Sequence, residues 1–402
     1  MENVVSVMKK ILIVSVDFFP NIGGVSLMTH FLANGFVSIG NDVTVLAPAN
    51  SNQLLEYPAG YSLVTDTESS VKKRSGLDGY RERKRIKAFL SKLPDFDFVL
   101  LMHPFYYGNA VLEYYSGKPV ATFFHGFEFK SQIIVREKVW VRLLSRLTQV
   151  RSLPALTKEL ARTSPLVFVN SSVTKDVILS TVKRPISVLG CGLQDSMIEE
   201  MSVAPDARSQ LKNVAKERFG LKRFVLGFVG RLVEQKNVEF LIQIAAYSKS
   251  IEVLVVGEGP DKKRLLALAD KLGATSRVKF LGAVDEAGKW NAIDSMDVLC
   301  LPSKYMQMGQ MEGFGIVMLE AALRRVPVAV STYGGMKDFV LENNGLYLDI
   351  NKPRKSFRDL LSLIEDDERV CCVTNNAYAL LTEQLTYKKI ALRAMAEFER
   401  EK

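Results

Sequence analysis

Short runs of consecutive apolar residues recur along the chain and alternate with stretches whose apolar positions fall at helical spacing. Residues 10–15 (KILIVS), 43–46, 98–102, 119–124, 166–170 and 186–189 form one series, and 224–229, 253–256, 278–281, 298–301 and 327–330 form a second. Runs this short and this continuously apolar are predicted as strands buried on both faces of a parallel sheet. Helical patterns lie between them, such as the one through Leu27, Phe31 and Leu32, which follows Pro20, Gly23 and Gly24, and the one over 238–246. Strand and helix alternating in two successive series predict an α/β fold of two doubly wound, Rossmann-like domains. The polar stretch 199–222 separates the series, which sets a boundary near 190–195. The first domain is then 1–190 and the second 196–386, with a terminal helix over 387–402 expected to cross back to the first. Open α/β sheets bind ligands beyond the carboxyl ends of their strands, so the two domains are expected to face each other across a cleft.

Length agrees with this division, since 402 residues exceed one ordinary core. With 48% hydrophobic and 24% charged residues the composition is that of a soluble globular protein. No apolar run approaches the roughly 18 residues needed to span a bilayer, and the first nine residues lack the features of a secretory leader. Cys191, Cys300, Cys371 and Cys372 fit neither a zinc spacing nor a disulfide framework and read as reduced thiols in a cytoplasmic protein. His30, His103 and His125 are too scattered for a metal cluster, so no metal is expected. The net charge of +9 favours acidic partners: sugar nucleotides, phospholipid headgroups or nucleic acid. Nucleic acid is set aside, because neither zinc-finger spacing nor an RNA-binding aromatic motif accompanies the charge.

Two segments carry candidate chemistry. In 311–321 (MEGFGIVMLEA) glycines flank Phe314 just before a helical run, where exposed N–H groups suit anions and hydroxyls and small residues admit a ligand closely. Glu312 precedes the helix and Glu320 is expected about two turns in, a separation that suits two sets of sugar hydroxyls better than one metal. An ordinary helix entry with solvated glutamates is the alternative. In 224–236 (FVLGFVGRLVEQK) a strand ends at Gly230 and offers Arg231 and Lys236. Two cations there can clamp a diphosphate, each contact being of order 4 kcal/mol at ~4 Å and an effective dielectric of ~20 before desolvation. A solvated basic loop is the alternative.

Taken together with FFPNIGGV (18–25), FFHGFE (123–128), VNSS (169–172), GRLVEQKN (230–237), VVGEGPDKKRL (255–265) and VKFLGAV (278–284), the chain resembles the retaining glycosyltransferases of the GT-B fold, specifically glycosyltransferase family 4. EGFGIVMLEA is similar to the family's E-x7-E signature. The resemblance implies that Glu312 contacts the donor sugar, helped by Gly313, Phe314, Gly315 and the amides of Ile316 and Val317. It implies that Glu320 binds the ribose, that Arg231 and Lys236 hold the diphosphate as it leaves, and that Leu281 and Gly282 lie against the base. From the first domain it implies that Gly23 and Gly24 close over the phosphates, that His125 hydrogen-bonds the sugar and that Asp17 faces the acceptor. The implied reaction is hexose transfer from a UDP- or GDP-sugar to a glycan or lipid-linked acceptor with retained configuration, without cofactor or metal, in bacterial-type cell-surface polysaccharide or glycolipid synthesis. A non-catalytic nucleotide-binding or partner subunit of the same fold is the alternative.

The chain departs from the family pattern at four places: Asn237 stands where glycine commonly follows the lysine, Arg324, Arg325 and Val326 replace small residues, Asp338 replaces a glutamate, and residues 304–310 lengthen the loop ahead of Glu312. Basic residues at 72–87 and 130–151, the latter interleaved with Ile133, Ile134, Trp140, Leu144 and Leu147, suit an anionic membrane surface or else a solvated helix face.

Overall fold

The computed structural model describes residues 8–20, 23–51, 59–68, 76–104, 106–126, 153–306 and 312–401. These form two compact units: 1–194 with 386–402, and 195–385.

The first unit is built on seven parallel strands: β1 (Lys10–Val14), β2 (Asp42–Pro48), β3 (Ser62–Asp66), β4 (Phe98–Leu101), β5 (Val120–Phe124), β6 (Leu166–Val169) and β7 (Ser187–Val188). Their order across the sheet is β3-β2-β1-β4-β5-β6-β7. The central strands are buried along nearly their whole length, as continuous apolar runs require. The chain reverses its direction of growth between β1 and β4, whose register pairs Ile11 with Phe98. That reversal opens a crevice beyond the carboxyl ends of these two strands.

The terminal helix Tyr387–Arg400 packs into this first unit. Thr386 caps it, its hydroxyl accepting from the Lys389 N–H at 3.2 Å. Phe398 stacks on Phe98 with ring centroids 4.8 Å apart and meets Phe168 edge-on at 5.7 Å, while Tyr387 lies 5.5 Å from Phe31 of the helix Gly24–Ser38. Full burial of one such ring contributes about 2 kcal/mol.

The second unit carries six parallel strands: β8 (Phe224–Val229), β9 (Ile251–Val256), β10 (Val278–Gly282), β11 (Val298–Leu301), β12 (Val328–Ser331) and β13 (Leu346–Leu348). The order β10-β9-β8-β11-β12-β13 places its switch point between β8 and β11. The expected α/β class with two doubly wound units is therefore the fold found. Two edge strands, β3 and β13, are additional to the expected series.

Candidate functional site

In the second unit the candidate residues gather at the carboxyl ends of the strands. Val229 ends β8, and Gly230, Arg231 and the short 3-10 helix Glu234–Lys236 follow. The loop is held by its neighbour after β9: the Leu232 N–H donates to the Glu258 carbonyl at 2.8 Å, and the Asp261 N–H donates to the Leu232 carbonyl at 3.1 Å. A Cβ on Gly257 would sit 2.0 Å from the Gly230 carbonyl oxygen, so the GEGP sequence is what lets these two loops lie together. From the far side of the switch point, Lys304 places its ammonium 3.3 Å from Glu234 and 3.2 Å from Glu239. Arg231 is exposed and forms no ion pair among the described residues.

Asn237 ends the 3-10 helix with φ +53°, a left-handed conformation that asparagine adopts more readily than other side chains do. Its side-chain amide also donates to the Pro302 carbonyl at 3.0 Å. The departure from glycine is accommodated by geometry and by that added bond.

Glu312 lies beyond β11 and leads through Gly313, Phe314 and Gly315 into the helix Val317–Leu323. Gly315 has φ +88°, and the helix begins only after it. Glu320 therefore stands on the first turn of the helix, one turn nearer its start than the spacing predicts. Among the described residues, the N–H groups of Gly313, Phe314, Gly315 and Ile316 donate to no backbone carbonyl. Both glutamates have lysine partners. The Lys236 ammonium pairs with Glu312 Oε2, and the Lys289 ammonium lies 2.7 Å from Glu320 Oε1. Lys289, on the helix Glu286–Asp294, also reaches Glu286 at 2.8 Å. Burial works against its charge, but the Glu320 and Glu286 carboxylates outweigh burial and raise its pKa. Gly282 closes β10, accepting from the Gly257 N–H at 2.7 Å, with Leu281 half-buried beside it.

The two arginines at 324 and 325 are structural. Arg324 forms a bidentate pair with Asp294 at 2.8 and 2.7 Å and donates to the Met201 carbonyl at 2.6 Å. Arg325, at φ +57°, stacks its guanidinium 3.8 Å over the Tyr378 ring.

In the first unit Asp17 follows β1, and burial raises its pKa. Its backbone carbonyl accepts from the Ser15 hydroxyl at 2.8 Å. Gly23 and Gly24 open the helix Gly24–Ser38, with the Gly23 N–H donating to Ser26 Oγ at 2.8 Å. His125 follows β5 and is only 8% exposed. Its Nε2 donates to the Met102 carbonyl at 2.8 Å, and its ring stacks on Phe123 at 4.9 Å. Burial lowers its pKa to about 4, so the ring is neutral near pH 7 and Nδ1 is the acceptor nitrogen. His30 has a structural role, bonding Tyr61 at 2.7 Å within the core.

The basic stretch 72–87 offers less free charge than its composition suggests. Arg85 makes a bidentate pair with buried Asp66 at 2.7 Å and a second pair with Glu82, while Arg83 and Lys87 share Glu113 at 3.1 Å. Arg81 and Lys84 are exposed. The second stretch, 130–151, lies outside the described residues, as do Met311 and residues 72–75.

Sequence reasoning missed Lys289, Lys304 and the bracing of Glu312 by Gly334 and Gly335. The Gly335 N–H donates to the Glu312 carbonyl at 3.0 Å. A lysine within a short helix carries no local mark of a partner 31 positions away.

Comparison with known proteins follows the same two halves. Residues 22–196 match the profile of Glycosyltransferase Family 4, and residues 209–379 match that of Glycosyl transferases group 1. An uncharacterized glycosyltransferase of Methanocaldococcus jannaschii is 32% identical over 170 residues, which is 41% of this chain and 42% of that protein. The GDP-mannose-dependent monoacylated alpha-(1-6)-phosphatidylinositol monomannoside mannosyltransferase of Corynebacterium glutamicum is 31% identical over 150 residues, covering 36% and 39% of the two chains. The matched stretches thus span less than half of these relatives. Anabaena HepE, solved in complex with UDP and glucose, superposes with a TM-score of 0.72 over 98% of this chain and 100% of its own, at 18% identity.

Proposed function

Because this chain belongs to the glycosyltransferases of group 1 and family 4, we propose that it moves a hexose-type sugar from a nucleotide-diphosphate sugar to a glycan or lipid-linked acceptor, with retention of anomeric configuration. One observation supports this reading: Lys236 pairs with Glu312 across the β8/β11 switch point, with Arg231 on the loop that carries Lys236 and Glu320 on the helix that follows Glu312.

The crevice combines two kinds of recognition. Arg231 offers a planar fork and Lys236 a point charge to the diphosphate, and both stabilise the negative charge that grows as it leaves. Glu312 accepts from sugar hydroxyls and Glu320 from ribose hydroxyls, with Leu281 and Gly282 against the base. In the first unit, His125 is proposed to hydrogen-bond the donor sugar and Asp17 to face the acceptor. The acceptor oxygen attacks the anomeric carbon from the face that the diphosphate leaves, so one C–O bond forms as another breaks and the acceptor proton passes to the departing phosphate. Fixed cations take the part a divalent metal would otherwise play.

The phosphatidylinositol-linked substrate named for the Corynebacterium relative supports a lipid-linked acceptor for this chain. No helix among the described residues is long and apolar enough to cross a membrane, and association with the inner face of an anionic bilayer is the proposed arrangement. UDP in the HepE complex supports a uridine donor, and the GDP-mannose relative supports a guanosine one.

A thermal-shift screen against UDP-, GDP- and ADP-sugars tests the donor, since a ligand that binds only the folded state raises the melting temperature. Nucleoside diphosphate release that requires added acceptor, and that survives EDTA, is the expected activity. Release that stops in EDTA and returns with manganese overturns the metal-free reading. Binding without turnover on any acceptor favours the non-catalytic alternative.

A further inference from the structure

The helices Glu286–Asp294 and Val317–Leu323 are joined by two ion pairs of opposite polarity. At one end the cation is on the first helix, with Lys289 Nζ 2.7 Å from Glu320 Oε1. At the other end the anion is, with Asp294 gripped by Arg324 at 2.7 Å. The Trp290 ring, buried to 6% exposure, has the Lys289 ammonium 5.1 Å and the Arg324 guanidinium 6.0 Å from its centroid. The first helix is also fixed along its axis, because Asp285 caps it by accepting from the Gly288 N–H at 2.7 Å. Lys289 sits in the turn so fixed.

Glu320 is 9% exposed and its side chain has one charged partner among the described residues. That partner occupies Oε1. Lys289 is itself shared with Glu286, so the triplet of Glu286, Lys289 and Glu320 retains one excess negative charge. A carboxylate held through one oxygen, with acceptor capacity left on the other, suits a pair of neighbouring hydroxyls better than a cation-binding role.

We infer that Lys289 is a positioning residue for donor recognition: it fixes the Glu320 carboxylate so that Oε2 accepts from the ribose hydroxyls, and thereby sets the preference for a ribonucleotide over a deoxyribonucleotide donor. The inference rests on the assignment of ribose binding to Glu320 made above. It concerns a residue that touches the glutamate and not the nucleotide.

The test uses the full chain and the nucleoside diphosphate, UDP or GDP, that raises its melting temperature. Binding of that diphosphate is compared with its 2′-deoxy and 3′-deoxy forms by calorimetry. The unaltered protein is expected to bind the ribo form roughly 10-fold or more tighter, as loss of a charge-assisted hydrogen bond implies. Glu320→Gln is expected to abolish most of that ratio. Lys289→Met is expected to bring it within about 2-fold while the deoxy forms bind as before, and Lys289→Arg to restore it in part. Arg324→Met, which breaks the other pair, is expected to lower the melting temperature and leave the ratio intact. Lys289→Gln serves in place of the methionine variant if that one does not fold. If Glu320→Gln keeps the full ratio, the ribose assignment itself is wrong. If Glu320→Gln collapses it but folded Lys289→Met and Lys289→Gln do not, the positioning role is overturned and the lysine is only a brace.

Discussion

Gly334 lies so close to Glu312 that a Cβ on it would stand 2.5 Å from the Glu312 carbonyl oxygen and 3.0 Å from the Glu312 Cβ. The first of these contacts is with main chain, which cannot turn aside as a side-chain tip can. Gly334 also has φ +90°, in the region that other residues avoid. Gly334→Ala is therefore expected to push Glu312 off the Lys236 ammonium. A fall in transfer rate on the order of 10- to 100-fold, with a stability loss of about 1–3 kcal/mol, is the expected outcome in steady-state kinetics and thermal melts. Unchanged kinetics would show that the position of Glu312 does not matter to the reaction.

Arg231 and Lys236 are separable by the same two measurements. Arg231 is exposed and unpaired among the described residues, so Arg231→Met is expected to leave stability within about 0.5 kcal/mol while slowing transfer roughly 100-fold. Lys236→Met removes the partner of a largely buried carboxylate and is expected to cost stability as well as activity. Equal effects of the two variants on the melting temperature would contradict this contrast.

Position 237 tests the backbone alone. Asn237→Gly keeps the left-handed turn and loses only the bond to Pro302, a net change expected near 1 kcal/mol. Asn237→Val must adopt φ +53° with a branched side chain and is expected to lose more, on the order of 2–3 kcal/mol. Denaturant midpoints that rank valine above glycine refute it.

Acid acts on the first unit, which contains all three histidines. Burial lowers the pKa of His30 and His125 to about 4 and that of His103 to about 3. The unfolded chain binds protons near pH 6.5, so the stability these neutral rings contribute is complete above that pH and is lost as pH falls toward 4. By pH 5 the loss is roughly 2 kcal/mol for each histidine. Hydrogen exchange at pH 7 and pH 5 should show protection falling first in β1, β4 and β5 and later in β8, β9 and β11. Simultaneous loss in both sets would exclude the histidines as the cause.

The two-series architecture was legible because central parallel strands must be apolar on both faces, as ILIV at 11–14 and VLVV at 253–256 are. The edge strands escaped for the converse reason. Ser62–Asp66 is half-buried and mixed in polarity, and Leu346–Leu348 is only three residues long. At the site, Glu312, Glu320, Arg231 and Lys236 stand out in local motifs, whereas the pairs of Lys289 with Glu320, Lys304 with Glu239 and Asp294 with Arg324 form only when distant loops and helices pack. Arg325 shows the limit in the other direction: its departure from a small residue is explained by Tyr378, which lies 53 positions further along.

The helix Tyr387–Arg400 gives the chain an unusual order of assembly during synthesis. The stretch from 195 to 385 emerges from the ribosome as a continuous unit and can close on itself. The earlier stretch cannot do so, because the surfaces around Phe31, Phe98 and Phe168 wait for Tyr387 and Phe398, which are translated after the second unit. The unit begun before the other is thus completed after it, and until Tyr387 and Phe398 arrive its apolar surface stays uncovered there.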